Sequence, residues 1–221
     1  MLNEYFFQTN ISGAELDELL SKGWRHFGEY FFRYESSFLE TETGSLEQVQ
    51  VIPLRICLED FSFSKKQRKI LKKNISFQVK RKLVEITNYK HELFAKHALR
   101  FSSNRPNSLF NFISTNPTFV PLPTYEIEVW DADKLIANSF VDITPQAFSS
   151  IYAMFDTDYA EYSLGIFTLL QEIEWAKSLQ KKYLYLGYAY DKSSFYDYKK
   201  RFHALEKYNW QKDCWEKFQR E

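Results

Sequence analysis

A chain of 221 residues that is 44% hydrophobic and 19% aromatic carries enough apolar side chain for one large domain or two small lobes, and this composition excludes a disordered chain. No stretch reaches the ~20 apolar residues of a membrane span, and Met1-Leu2-Asn3-Glu4 lacks the basic flank of a secretory signal, so a cytoplasmic protein without a membrane partner is expected. The 29 Lys and Arg balance 29 Asp and Glu, yet 13 of the cations fall between Lys65 and Arg105 beside only two acids, Glu85 and Glu92, a charge separation that points to a polyanion, with nucleic acid the leading candidate.

In chain order, Ser12 to Glu15 has capping-box spacing ahead of Leu16, Leu19 and Leu20, predicting a short helix closed by Gly23. Arg25 to Tyr34 and Val49 to Leu58 are rich in aromatic and β-branched residues and are expected to pair as strands across a Glu-rich loop containing Gly44. Ser64 caps a second helix, in which Lys65, Lys69 and Lys72 share a helical face and Ile70, Leu71 and Ile75 lie nearer the other, giving a positive ridge over a packed side. A strand from Ser76 to Val84, bearing Lys80, Arg81 and Lys82, is expected to continue that positive surface, followed by a helix from about Lys90 to Phe101.

A connection around Asn104 to Asn107 and a Pro-rich turn at Pro117 to Pro123 precede strands Tyr125 to Trp130, Lys134 to Ile143 and Ile151 to Phe155, a long helix from Ser163, and a strand from Tyr183 to Tyr190. The fold class is therefore α/β (α+β), a mixed sheet whose strands feed a buried helix. Cys57 and Cys214 are far apart with no C-x-x-C spacing, so neither a disulfide scaffold nor a thiolate metal site is expected. His26, His91, His97 and His203 show no ligand spacing and read as ordinary histidines.

A succession of short words carries more information. The first half holds Gly23-Trp24-Arg25-His26-Phe27-Gly28, Pro53-Leu54-Arg55-Ile56 and Ser64-Lys65-Lys66-Gln67-Arg68 with Asn74. The second holds Leu135-Ile136-Ala137, Val141-Asp142, Ser149-Ser150-Ile151-Tyr152, Phe155-Asp156, Ser163-Leu164-Gly165, Glu172-Ile173, Tyr185-Leu186-Gly187-Tyr188 and Tyr198-Lys199. In order and approximate spacing, over most of the chain, these words resemble the arginyl/leucyl-tRNA–protein transferase family of the N-end rule, whose members move an amino acid from charged tRNA to a protein N-terminus.

The resemblance implies an N-acetyltransferase-like (GNAT) catalytic half, residues 85–221, behind a smaller N-terminal α+β lobe, residues 1–84. Its implied partners are aminoacyl-tRNA and a protein or peptide N-terminus. The family's cysteine cluster before the Pro-x-Arg word has no counterpart here, because Tyr34-Glu35-Ser36-Ser37 through Gln50 contains no Cys, so no metal or cofactor is expected. Asp156-Thr157 stands where the family has Asp-Pro, and Phe195-Tyr196 where it has Lys-Met.

Aminoacyl transfer begins from an activated ester, so no nucleophilic side chain is needed; the site must deprotonate an amine of pKa ~8 and stabilise an oxyanion. Glu172 and Asp156 are the candidate proton acceptors or ammonium binders, with a solvated Glu on an amphipathic helix as the plain alternative for Glu172. Tyr185, the third catalytic candidate, and Tyr188 are expected on opposite strand faces, where a phenol can meet the ester oxygen or the terminal adenine, or simply fill the core. Ser163, Leu164 and Gly165 open a helix whose free N–H groups can hold an anionic oxygen, although Ser163 can equally be only an N-cap.

Tyr152, Gly187, Tyr198 and Lys199 complete the substrate-binding set, with Lys199 or Arg201 available to neutralise an acidic acceptor side chain. Arg25, Arg55, Lys65, Arg68, Lys69, Lys72 and Lys73 are assigned to tRNA, against the alternative of a solvated basic helix. Two competing functions stay open at this point: an acyl-CoA-dependent N-acyltransferase, for which Asp158 to Gly165 supplies one glycine and two acids in place of a glycine-rich turn, and a non-catalytic tRNA- or peptide-binding relative.

Overall fold

Local capping chemistry places the helices. The computed structural model describes residues 2–40, 44–101 and 105–219. In α1, Gly13–Ser21, the Ser12 hydroxyl accepts from the Glu15 N–H while the Glu15 carboxylate accepts from the Ser12 N–H at 2.8 Å, and Gly23 ends the segment at φ +79°. The same reciprocal cap joins Ser64 and Gln67 at the start of α2, Lys65–Lys73. The other helices are α3, Asn88–Ala98, and α4, Leu164–Ser178.

The N-terminal strands depart from expectation. The segment from Arg25 to Tyr34 is not one strand but a hairpin of β2, Arg25–Phe27, and β3, Tyr30–Tyr34, because Gly28 reverses the chain at φ +53°. A strand that composition did not signal, β1 (Asn3–Phe7), adds to the other edge of β3 and completes a three-stranded antiparallel sheet. The partner of β5, Leu46–Cys57, on that side of the chain is β4, Ser36–Glu40, in register Ser36 to Gln50. The Cys-free segment before Pro53 is thus a β-hairpin, whose residues 41–43 lie outside the described residues, as does Asn104 of the expected connection after α3.

The remaining strands are β6 (Gln78–Leu83), β7 (Thr124–Asp131), β8 (Lys134–Ile143), β9 (Ala147–Phe155), β10 (Tyr183–Tyr190), β11 (Leu205–Asn209) and β12 (Cys214–Lys217). They form one nine-stranded mixed sheet in the order β12-β11-β5-β10-β9-β8-β7-β6, with β4 on β5. Positions 84 and 85 lie beside that sheet: β5 and β6 from the first 84 residues pair with β10 and β7.

Period-2 alternation divides the sheet's faces. Val141, Phe148 and Leu184 pack with Leu169, Leu170 and Ile173 of α4, and α2 lies against the same face through Ile70 and Leu71. Their chain neighbours point the other way: Phe140 meets Leu93 and Phe94 of α3, while Ala147 and Tyr185 meet Leu16 and Leu20 of α1 and Phe31 of the small sheet. Among the described residues no helix is long and apolar enough to cross a membrane.

Candidate active site

The centre of the sheet contains a built-in opening. β9 and β10 run parallel but pair only over Ala147 to Tyr183, Phe148 to Leu184 and Ser149 to Tyr185. Beyond Ser149, β9 stays with β8, whereas β10 follows β5 through a bulge between Tyr185 and Gly187. The diverging strands leave a cleft of about 410 Å³ at their C-terminal ends, where parallel α/β sheets place ligands. Gly165, Leu169 and Glu172 of α4 line it from one face of the sheet; Arg25, Phe27, Phe32 and Tyr34 of the small sheet line it from the other.

Glu172 is buried, 1% exposed, about two turns into α4. Burial pushes its carboxyl up to about 7, although the neighbouring Ser150 and Ser139 hydroxyls, Arg25 and Lys199 each pull it back down. Its Oε2 has no hydrogen-bond partner among the described residues, and neither does the hydroxyl of Tyr152, which stacks on Phe112 at 3.8 Å across the cleft. Lys199, from the 3-10 segment Phe195–Arg201, donates its Nζ to the Tyr188 carbonyl at 3.1 Å. Burial, reinforced by the Arg25 charge, pulls its ammonium down to about 7. A carboxyl and an amine that both titrate near neutrality therefore face one cavity.

Arg25 explains the glycine at 187. Its guanidinium donates Nη1 to the Ser150 carbonyl at 2.8 Å, and a Cβ on Gly187, which sits at φ +80°, would come within 2.8 Å of the Arg25 Cζ. Gly187→Ala is expected to cost about 1–3 kcal/mol of stability from backbone strain and to move the guanidinium out of place. A thermal melt with a transfer assay checks both effects; an unshifted melting temperature would contradict the contact.

The structure brings Glu172, Tyr152, Gly165, Tyr188, Tyr198, Lys199 and Arg25 to the cleft, with Gly187 directly behind Arg25. It takes other candidates elsewhere. Asp156 caps the Asp158 N–H at 2.9 Å and is gripped by Lys96 and by Lys134, the latter at 2.8 Å; hydrogen bonds from these lysines outweigh burial and hold its carboxyl down at about 2, which leaves no proton acceptor near neutrality. Tyr185 accepts from Arg55 Nη1 at 3.2 Å under α1, and the bulge brings Tyr188 to the same small cavity, so the two rings are not on opposite faces as expected. Tyr188 nonetheless reaches the main cleft, anchored by a hydrogen bond to the Gly23 carbonyl at 2.8 Å.

Ser163 takes the N-cap position of α4, exposed and in the left-handed region at φ 53°, but its side chain makes no cap hydrogen bond, while Leu164 is buried in the core. Arg55 is bonded to Glu206 at 2.6 Å and sandwiched between Tyr183 and Trp215, so it presents no free charge to tRNA. The basic surface is also shorter than expected. β6 pairs with β7 so that Lys82 meets Glu126 and Glu128, Lys90 is buried against the same two carboxylates, and Lys96 is held by Asp156 and Asp158. The cations left exposed without an ion-pair partner among the described residues include Lys65, Lys66, Lys69 and Lys72 of α2, with Lys80 and Arg100 beyond it; Arg68 is exposed and bonded to the Phe63 carbonyl, and Lys73 pairs with Glu161 at 3.0 Å.

His97 also lines the cleft, a role its sequence context did not signal; burial pushes it down to about 4, and it accepts from the Phe155 N–H at 3.2 Å as a neutral imidazole. His26 is buried too, bridging the Gly28 carbonyl and Asp142 and so tying the small hairpin to β8.

Known proteins match this chain at both levels. The family model described as "Arginine-tRNA-protein transferase, C terminus" matches residues 77–209. An aspartate/glutamate leucyltransferase of Campylobacter jejuni is 31% identical over 202 residues, covering 89% of this chain and 80% of the relative. The protein of the same name from Helicobacter hepaticus is 28% identical over 211 residues, 91% of this chain and 82% of the relative. In fold, the C-terminal domain of a candidate lysylphosphatidylglycerol synthetase from Agrobacterium fabrum superposes with a TM-score of 0.51 at 13% identity, over 84% of this chain and 54% of that one. A family match that runs from β6 to the end of β11 and encloses Glu172, Gly187 and Lys199, together with relatives of this similarity, establishes that the chain belongs to the arginine-tRNA-protein transferase family, enzymes that transfer an aminoacyl group from tRNA to a protein.

Proposed function

We propose that the protein moves leucine from leucyl-tRNA to the N-terminal amine of proteins beginning with Asp or Glu, and that the cleft between β9 and β10 is the site of acyl transfer. The observation that carries this reading is Glu172: a buried carboxyl with a pKa of about 7 and an unpartnered oxygen, in the cavity where the sheet opens. The donor and acceptor identities rest on the names of the relatives. The cleft suits both, because Phe27, Phe32 and Leu169 offer an apolar wall for a leucyl side chain while Arg25 and Lys199 offer cations to a carboxylate. The parted parallel strands with α4 between them support the N-acetyltransferase-like reading of this half.

In the reaction the acceptor amine attacks the ester carbonyl carbon, the C–N bond forms and the bond to the tRNA ribose oxygen breaks. Glu172 takes the proton lost by the amine and returns it to the departing ribose oxygen, a double task suited to a group titrating near neutrality. Arg25, held between Gly187 and Ser150, and Lys199 fix the acidic end of the acceptor. The remaining residues assigned here are Tyr152, Tyr188 and Tyr198, which supply phenols to the walls, and Gly165, which keeps the α4 side open.

The test is transfer from a panel of charged tRNAs to peptides starting in Asp, Glu, Arg or Lys, run beside acetyl-CoA. Leucine delivered to Asp and Glu peptides, dependent on tRNA, is expected; acetyl transfer without tRNA, or tRNA binding with no transfer from any donor, contradicts the reading. On α2, replacing Lys65, Lys69 and Lys72 together by Ala is expected to weaken tRNA binding and to reduce the log K against log salt slope by about 3. An unchanged slope removes the ridge from the interface.

A further inference from the structure

The donor's reactive ester sits at the end of a single strand, and a cleft of about 410 Å³ admits that strand but not a base-paired stem. The strand must therefore cross one rim of the cleft. Two rims carry exposed aromatic rings. On the small sheet, Tyr5, Phe7 and Tyr30 are 65%, 71% and 38% exposed, but the cation on β3, Arg33, is bonded to Glu4 and turned onto Trp24. On the other rim, Phe195 and Tyr196 are 57% and 38% exposed, Phe101 packs its ring 5.7 Å from Phe195, and the Arg100 guanidinium lies 5.3 Å over Phe195 and 4.4 Å over Phe155. Arg100 is exposed and has no ion-pair partner among the described residues.

We propose that this second rim, Arg100, Phe101, Phe195 and Tyr196, takes the single-stranded 3′ end of the tRNA, with bases stacked on the rings and a backbone phosphate on Arg100. The inference rests on the transferase reading and adds the path by which the donor enters. Charge selects the rim: rings alone suit any apolar ligand, whereas a guanidinium without an ion-pair partner that lies over rings keeps its N–H edge for a phosphate.

Continuity supports the same choice. Phe155, under Arg100, is the last residue of β9, and the segment that follows it reaches Glu161, which is bonded to Lys73 at the end of α2. The unpaired α2 lysines and the Arg100 rim thus flank one short stretch of chain that ends at Gly165 in the cleft. Phe155 also closes on Gly165, where a Cβ would meet its ring at 3.0 Å, so the rim leads directly to the cleft wall that contains Glu172.

Fluorescence anisotropy with uncharged tRNA, either intact or lacking its single-stranded 3′ nucleotides, tests the path without requiring transfer activity. Wild type is expected to bind intact tRNA at least tenfold more tightly than the truncated form. Phe195→Ala is expected to weaken the intact tRNA about tenfold and leave the truncated one unchanged, and Arg100→Ala to lower the salt slope by about 1. Tyr5→Ala, on the other rim, is expected to change neither. Equal binding of intact and truncated tRNA by wild type, or wild-type binding by both rim variants, overturns this inference while leaving the transferase reading standing. Failure of wild type to bind either tRNA overturns the transferase reading and this path with it.

Discussion

Glu172→Gln is expected to slow leucyl transfer by about 10²–10⁴-fold while making the protein more stable above neutral pH. The rate follows from removing the proton acceptor without changing the side-chain shape. The stability follows from linkage. Folding raises the Glu172 pKa from its ordinary 4.5 to about 7, so between those values the native state keeps a proton that the unfolded chain releases, and stability falls as pH rises through that window. A neutral amide has no such cost, so the variant gains on the order of 2 kcal/mol at pH 8, or several degrees in melting temperature for a chain of 221 residues. Below about pH 4.5 the two proteins converge. Transfer rates and melts at pH 5 and pH 8 check this; undiminished transfer by the variant would remove Glu172 from the chemistry.

Lys199→Met is expected to reduce kcat/KM for Asp- and Glu-initiated peptides by about 30- to 100-fold, the worth of a charge-assisted hydrogen bond in a desolvated site, and to erase their advantage over Asn- and Gln-initiated peptides. Lys199→Arg keeps the charge and reveals the pH dependence. Because burial and Arg25 pull the wild-type ammonium down to about 7, its charge is lost as pH rises through that value, and recognition of acidic acceptors declines on the alkaline side. The acceptor amine and Glu172 both favour transfer at higher pH, so the profile is the product of opposing limbs. The rate of the Lys199→Arg variant divided by that of wild type isolates the lysine, and this ratio is expected to climb above pH 7. A flat ratio would assign acceptor recognition elsewhere, with Arg25 the next group to test.

Features set by nearby residues were legible in the sequence. The caps at Ser12 and Ser64 act within three residues, and both helices begin where those hydroxyls place them. β7, β8 and β10 follow from alternation or continuous β-branched and aromatic runs, and Glu172 was singled out by its place beside Ile173 among the matching words.

Features set by strand register were not. The cations of β6 and α3 read as a continuous positive surface until the β6 to β7 pairing brings Glu126 and Glu128 among them. Arg25 read as a tRNA contact because nothing local shows that a left-handed glycine on β10 reserves space for its guanidinium. Asp156 looked like a second catalytic carboxylate, yet Lys96 from α3 and Lys134 from β8 converge on it. The cleft itself depends on where β9 and β10 stop pairing, a property of two strands separated by all of α4.

The cleft where β9 and β10 part is the proposed seat of aminoacyl transfer. A structure of the protein with 3′-leucylamino-3′-deoxyadenosine, in which a stable amide replaces the ester, tests it most directly. The amide is expected in the cleft beside Glu172, with its leucyl side chain on the apolar wall and its adenosine toward the Arg100 rim. An amide bound away from Glu172, with the cleft unchanged, would contradict it.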